Sequence, residues 1–91
     1  MLKINLHPRA KKFLRKLPGK HEKQILAKIV LLAENPNQHD VEKLSGFSEC
    51  RADVGEYRII FNTDAEWLRI PLIGRRNDSD VYKKLRRLLG R

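Results

Sequence analysis

Residues 50–73, CRADVGEYRIIFNTDAEWLRIPLI, decide the fold, because here the sequence takes up the two-residue period of β-strands. Apolar and charged side chains alternate from 50 to 54, and Gly55-Glu56 follows as a hairpin turn. The next run is rich in aromatic and β-branched residues, which favour strands. Pro71 lacks the amide donor of a strand ladder, so an edge, a bulge or a break is expected there. The stretch predicts a three-stranded antiparallel meander, with strands at 50–54, 57–61 and 67–73.

Helical periods and one short strand flank the meander. Leu2, Ile4 and Leu6 alternate with polar residues and predict a strand with one buried face. Pro8 suits the first turn of a helix, and Pro36 ends a second helix because the preceding residue disfavours the α region. The apolar positions of the three predicted helices are Ala10, Phe13, Leu14 and Leu17; Ile25, Ile29 and Leu32 with Leu26, Val30 and Ala33 beside them; and Val81, Leu85 and Leu88.

The order of these elements is strand, helix hairpin, meander and short C-terminal helix. Residues 36–48 are polar and turn-rich, and we expect no regular element there. This order predicts an α+β fold in which the helices pack on a small antiparallel sheet. A length of 91 residues predicts a single domain that spans 1–91.

The formal net charge of +9 is unevenly distributed. Residues 1–28 carry a net charge of +8, residues 29–74 carry −4, and residues 75–91 carry +5. If the basic ends meet in space, they form a surface that binds polyanions; the alternative is a solubilising surface. No apolar run is long enough for a signal peptide or a membrane span, so we expect a soluble cytoplasmic protein.

Familiar catalytic and metal motifs are missing from the sequence. His7, His21 and His39 lack the spacing of metal ligands, and Cys50, the single cysteine, is more typical of a small buried side chain. There is no glycine-rich phosphate loop. We therefore expect neither a metal nor a cofactor.

Four polar segments on and after the meander carry the candidate chemistry. They are Lys43-Leu44-Ser45-Gly46, the strand at 50–54, Gly55-Glu56-Tyr57-Arg58, and Gly74-Arg75-Arg76 with Val81-Tyr82. In their order and spacing they resemble the core signature of the RelE/ParE toxin superfamily, and of its RelE-type branch in particular. The resemblance extends over the whole chain, since the N-terminal strand and helix hairpin also match. It implies a RelE-like fold and the toxin of a type II toxin–antitoxin system.

The resemblance also implies an activity, namely metal-independent cleavage of mRNA by attack of the ribose 2′-hydroxyl, in many members on the ribosome. Arg58 and Arg76 would bind the scissile phosphate, a role that suits the planar guanidinium group, and Tyr82 would activate the 2′-hydroxyl. Arg51 matches the first of two basic positions on the preceding strand, whereas Asp53 occupies the second, so the general acid is left open. We expect further RNA contacts from Lys43, Arg75, Lys83 and Lys84. The implied partners are mRNA, the ribosome and a cognate antitoxin.

Other interpretations of these residues stay open. A ParE-type inhibitor of DNA gyrase, which acts by protein contact, shares the fold, and a basic binding module without catalysis is a third option. Arg58 could simply pair with Asp53 or Glu56 across the hairpin, and Arg51 could pair with Asp53. Tyr82 could be a core aromatic residue. For Asp53 we favour a structural partnership with an arginine over a role as proton donor.

Overall fold

The computed structural model describes residues 1–77, 80–88 and 90. Within these ranges the elements along the chain are β1 (Lys3–Leu6), α1 (Pro8–Arg15), α2 (Gly19–Glu34), β2 (Val41–Lys43), β3 (Cys50–Val54), β4 (Tyr57–Thr63), β5 (Trp67–Arg75) and α3 (Asp80–Leu88). The helix hairpin, the meander of β3, β4 and β5, and the C-terminal helix are all present. The predicted α+β fold is therefore confirmed.

The described strands form one five-stranded sheet in the order β1-β5-β4-β3-β2. Two features differ from the prediction. The sheet is mixed, because β1 lies parallel to β5, with Lys3 opposite Trp67 and Leu6 opposite Ile70. Residues 36–48 also contain a strand, since Val41–Lys43 pairs with β3 in antiparallel fashion. This three-residue edge strand is mostly exposed, so it carries no apolar alternation that could have revealed it.

Helices α1 and α2 cover one face of the sheet. Helix α1 begins at Pro8 and α2 ends at Glu34, both as predicted. Ile25, Ile29 and Leu32 of α2 are buried in the core on this face, together with Ile59 and Phe61 of β4. Two of the apolar positions predicted beside this stripe lie outside the core, however, because Leu26 is 39% exposed and Val30 is 40% exposed. In β1, Ile4 was likewise predicted on a buried face, but its side chain is 37% exposed.

The opposite face is covered by α3, over a smaller core. Val81 and Leu85 of α3 are buried against Leu44, Ile60 and Leu72. A bulge near Pro71 changes which face the side chains of β5 occupy. Ile60 pairs with Leu72 whereas Asn62 pairs with Arg69, so β5 has one extra residue between these two pairs. Ile70 accordingly belongs to the core under α1 and α2, whereas Leu72 belongs to the core under α3. A bulge was one of the three outcomes predicted for this proline.

Gly74 allows α3 to approach the sheet closely, and its replacement by alanine is expected to weaken the docking of α3. A Cβ atom at this position would lie 3.0 Å from Cγ2 of Val81. Overpacking of this kind typically costs about 1–3 kcal/mol in the free energy of unfolding. The matched control is Gly19→Ala, which meets nothing within 4 Å and should be neutral or slightly stabilising. Urea unfolding of the two variants measures the difference, and equal midpoints would show that Val81 moves aside freely.

Candidate active site

The candidate site lies on the face of the sheet that α3 covers. In β3, Ala52 is buried in the core under α1 and α2, so Arg51 and Asp53 point to the opposite face. In β4, Ile60 is buried under α3, and Arg58 is two residues away on the same face. The hairpin register places Arg58 directly opposite Asp53. The tight turn at Gly55, whose φ is +57°, closes this hairpin as predicted.

Arg58 is the centre of a hydrogen-bond network between the sheet and α3. Its Nε donates to Oδ1 of Asp53 at 2.8 Å, and its Nη2 donates to Oδ2 at 3.3 Å. Its Nη1 donates to the hydroxyl oxygen of Tyr82 at 2.8 Å. Only 12% of the Arg58 side chain is exposed. The guanidinium is thus held in one orientation, with a carboxylate on one side and a phenol on the other.

The ion pair changes the acidity of both partners. The hydrogen bond from Arg58 lowers the pKa of Asp53 below its ordinary value, against the opposing effect of burial, and the charges of Arg58, Arg51 and Arg76 act in the same direction. The contact with Asp53 likewise raises the pKa of Arg58. Asp53 is therefore ionised at neutral pH, which is the state of a structural partner and not of a general acid. The structure thus pairs Asp53 with Arg58, which was one of the predicted alternatives for both residues.

A groove of about 600 Å³ opens beside this network, and we call it the Arg58 groove. Arg51 reaches into it, where its Nη2 contacts a carboxylate oxygen of Glu42 and its Nη1 lies 3.6 Å from Oδ2 of Asp53. The guanidinium of Arg86 lies 6.0 Å from the centre of the Phe47 ring. The side chains that line the groove include Glu42, Lys43, Phe47, Arg51, Arg58, Tyr82 and Arg86. Arg51, Arg58, Tyr82 and Lys43 are thus brought together.

Arg76 lies outside the Arg58 groove. Its backbone N–H donates to the carbonyl of Glu56 at 2.9 Å, and its Nη1 lies 3.4 Å from the carbonyl oxygen of Gly55. It lines a separate depression at the turn between β3 and β4, together with Arg75 and Asn77. Its charge nevertheless reaches Asp53, where it contributes to the lowered pKa. The two arginines predicted to share one phosphate therefore line separate depressions.

The remaining predicted RNA contacts are dispersed. Arg75 points to the other face, where its guanidinium lies 5.8 Å from the ring centre of the buried Tyr57. Lys84 lines a groove on the far side of α3, and Lys83 is exposed. Sequence reasoning missed Glu42 and Arg86. Arg86 follows Tyr82 by four residues on a helix, a spacing that could have revealed it, whereas Glu42 lies on the unpredicted β2.

Neither a metal cluster nor a membrane-spanning helix is found in the described part of the chain. No group of three or more histidine, cysteine, aspartate or glutamate side chains is close enough to hold a metal ion there. No helix in the same ranges has the length and apolarity needed to cross a bilayer.

Solved toxin structures share this architecture. A chain of the archaeal RelE–RelB complex from Pyrococcus horikoshii OT3 is 26% identical, and 86% of this chain aligns with 98% of that one at a TM-score of 0.73. A double mutant of the E. coli toxin RelE in the free state is 23% identical over 94% of this chain and 96% of its own, with a TM-score of 0.74. A chain of the RelBE2 toxin–antitoxin complex from Mycobacterium tuberculosis is 19% identical, with coverages of 82% and 98% and a TM-score of 0.72.

The fold and the groove define a small α+β protein with helices on both faces of an open sheet and a partly buried arginine network under the last helix. Within that class, the chain has the fold of the RelE-type toxins, which confirms the resemblance inferred from its motifs. No protein-family model matches the chain, and a comparison with curated proteins finds no match.

Proposed function

We propose that this chain is the toxin of a type II toxin–antitoxin system and that it cleaves mRNA. The observation that carries the proposal is the hydrogen bond from Arg58 to Tyr82, which joins a phosphate-binding group to a candidate base in one groove. The structural neighbours include RelE–RelB complexes, and this supports a cognate antitoxin as partner. The substrate is mRNA, engaged on the ribosome, and the place of action is the cytoplasm.

The proposed reaction is a transesterification without a metal ion. The ribose 2′-oxygen attacks the adjacent phosphorus and the bond to the 5′-oxygen breaks, which gives a cyclic phosphate and a free 5′-hydroxyl. Tyr82 accepts the 2′-hydroxyl proton, and the hydrogen bond from Nη1 of Arg58 holds the phenol oxygen in place in the groove. Arg58 and Arg76 stabilise the negative charge that develops on the phosphate oxygens. Arg51 assists on the neighbouring strand.

A group other than Asp53 donates the proton to the leaving 5′-oxygen. Asp53 is an ionised partner of Arg58, and its lowered pKa makes it a poor donor at neutral pH. Lys43, which lines the Arg58 groove, is the candidate among the predicted residues, and a group of the ribosome or water is the other source. The carboxylate of Asp53 has the complementary task of holding Arg58 in place until phosphate arrives.

Asp53 also provides the observation that favours the rival function. It neutralises part of the charge of Arg58, which weakens a phosphate site but not a surface that binds a protein. The rival is a ParE-type toxin that inhibits DNA gyrase by contact, with gyrase as the partner.

Primer-extension mapping of cellular mRNA after induction separates the two functions. Breaks within coding regions that vanish for Tyr82→Phe, and that co-expression of the antitoxin suppresses, would establish the nuclease. Intact mRNA together with gyrase–DNA cleavage complexes would establish the rival. Wild-type protein and the Tyr82→Phe variant must accumulate to equal levels for the comparison to count.

Binding to ribosomes is expected to depend steeply on salt. The basic residues 1–28 and 75–91 carry the excess charge, and both supply side chains to grooves beside α3. Neutralising phosphates releases condensed counterions, so affinity should fall on the order of 10²–10³-fold between roughly 50 and 200 mM salt. Co-sedimentation with ribosomes across this range measures the slope. A flat response would exclude a phosphate-dominated interface.

A further inference from the structure

A second groove, of about 580 Å³, lies on the other side of α3 from the Arg58 groove. Pairing between β1 and β5 stops at Ile70, and the chain then turns through His7 into α1. The last part of β5, from Leu72 to Arg75, therefore has no strand neighbour on that side. Helix α1 and helix α3 border this open segment. We call this space the α1–α3 groove.

The α1–α3 groove is lined by cations from three different elements. They are Arg9, Lys12 and Lys16 of α1, Arg75 of β5 and Lys84 of α3. No carboxylate side chain is among the described residues that line it, and no ion pair with any of these five cations is found within the described ranges. In the Arg58 groove, by contrast, Arg51 and Arg58 are both paired with carboxylates. Among the described residues, the α1–α3 groove is thus lined by five cations and no carboxylate, whereas the lining of the Arg58 groove includes Glu42.

The floor of the groove is apolar and close to backbone. Phe13, Leu72 and Val81 contribute to its lining, and Gly74 leaves the strand open between them. A small inorganic anion makes no favourable contact with apolar side chains. A nucleotide strand, in contrast, presents phosphates to the cationic walls and ribose or base faces to the apolar surface. The combination therefore favours a nucleic acid strand over a free anion.

A line of arginines connects this groove to the candidate active site. Arg75 lines both the α1–α3 groove and the depression that holds Arg76. Arg76 in turn acts electrostatically on Asp53, the partner of Arg58. A strand cleaved beside Arg58 could thus pass Arg76 and then Arg75 on its way to the α1–α3 groove. This continuity favours RNA over an acidic protein segment as the occupant.

We propose that the α1–α3 groove binds the phosphodiester backbone of the RNA strand outside the scissile phosphate. The inference rests on the proposed ribonuclease function for the identity of the strand, but binding can be measured without cleavage. In this proposal Lys12, Lys16 and Lys84 increase the affinity for the substrate and extend the length of RNA that the protein contacts.

The test is the triple variant Lys12→Gln/Lys16→Gln/Lys84→Gln, compared with Lys11→Gln/Lys20→Gln/Lys23→Gln. The control removes the same charge from exposed positions that do not line the groove. The probe is a fluorescent 12-nucleotide single-stranded RNA with 2′-O-methyl ribose throughout to block cleavage, measured by anisotropy, beside a trinucleotide of the same chemistry. Thermal melting checks that both variants are folded.

For the groove variant we expect the Kd for the 12-mer to rise on the order of 10-fold or more, and the slope of log Kd against log salt to fall by about 2. The control should change Kd less than 3-fold, and neither variant should alter trinucleotide binding. Equal weakening by both variants would overturn the groove as a specific site. Unchanged binding of the 12-mer by the groove variant would also overturn it, because the three lysines would then contribute nothing to RNA affinity. Selective weakening of RNA binding beside intact cellular mRNA would instead overturn the ribonuclease function and leave the groove as an RNA site.

Discussion

Replacing Arg76 by alanine is expected to abolish growth inhibition while leaving the fold intact. The side chain is exposed, and the substitution removes only its long contact of 3.4 Å with the carbonyl oxygen of Gly55, whereas the hydrogen bond from the backbone N–H to the carbonyl of Glu56 survives. The free energy of unfolding should therefore change by no more than about 0.5 kcal/mol. The loss of one group that stabilises charge in the transition state should lower the cleavage rate on the order of 10²–10³-fold.

Growth inhibition after induction, measured beside thermal melting of the same purified variant, separates activity from stability. Arg87→Ala is the matched control, since Arg87 is an exposed arginine in the last turn of α3. It should leave both toxicity and melting unchanged. Full toxicity of a folded Arg76→Ala protein would show that Arg76 makes no contribution to catalysis.

Local patterns in the sequence account for most of the fold. The alternation from 50 to 54, the turn at Gly55 and the proline boundaries of α1 and α2 each depend on residues close together in the chain, and each was predicted. The strand β2 and the parallel pairing of β1 with β5 depend instead on distant partners. Pairing Lys3 with Trp67 is long-range, and neither strand carries a pattern that specifies its neighbour.

The contacts of the candidate site likewise include one that depends on nearby residues and one that depends on distant ones. The contact between Arg58 and Asp53 follows from the hairpin turn, which fixes the two residues opposite one another, and it was among the predicted alternatives. The contact between Arg58 and Tyr82 joins residues 24 positions apart and depends on how α3 docks over Gly74. That docking is set by close packing against Val81, which side-chain spacing along the chain does not encode.

Replacing Tyr82 by phenylalanine is expected to lower the single-turnover rate of mRNA cleavage on programmed ribosomes by about 10²–10⁴-fold. The substitution removes only the hydroxyl, which is the acceptor for Nη1 of Arg58. The ring remains packed against the core under α3, so we expect no more than about 1.5 kcal/mol of destabilisation from the lost hydrogen bond. Binding of uncleavable mRNA should change little, because the proposed role of Tyr82 is proton transfer.

Asp53→Asn serves as the comparison, because it removes the charge of the neighbouring group and nearly preserves its shape. The amide oxygen of asparagine can still accept a hydrogen bond from Nε of Arg58, so the guanidinium should keep its orientation. Asp53 is ionised in the folded protein, which leaves it no proton to donate. We therefore expect the cleavage rate of the Asp53→Asn variant to fall less than 10-fold. Rates at saturating protein rank the two variants directly. A large loss for Asp53→Asn with a small loss for Tyr82→Phe would falsify this assignment, since the carboxyl group and not the phenol would then move the proton.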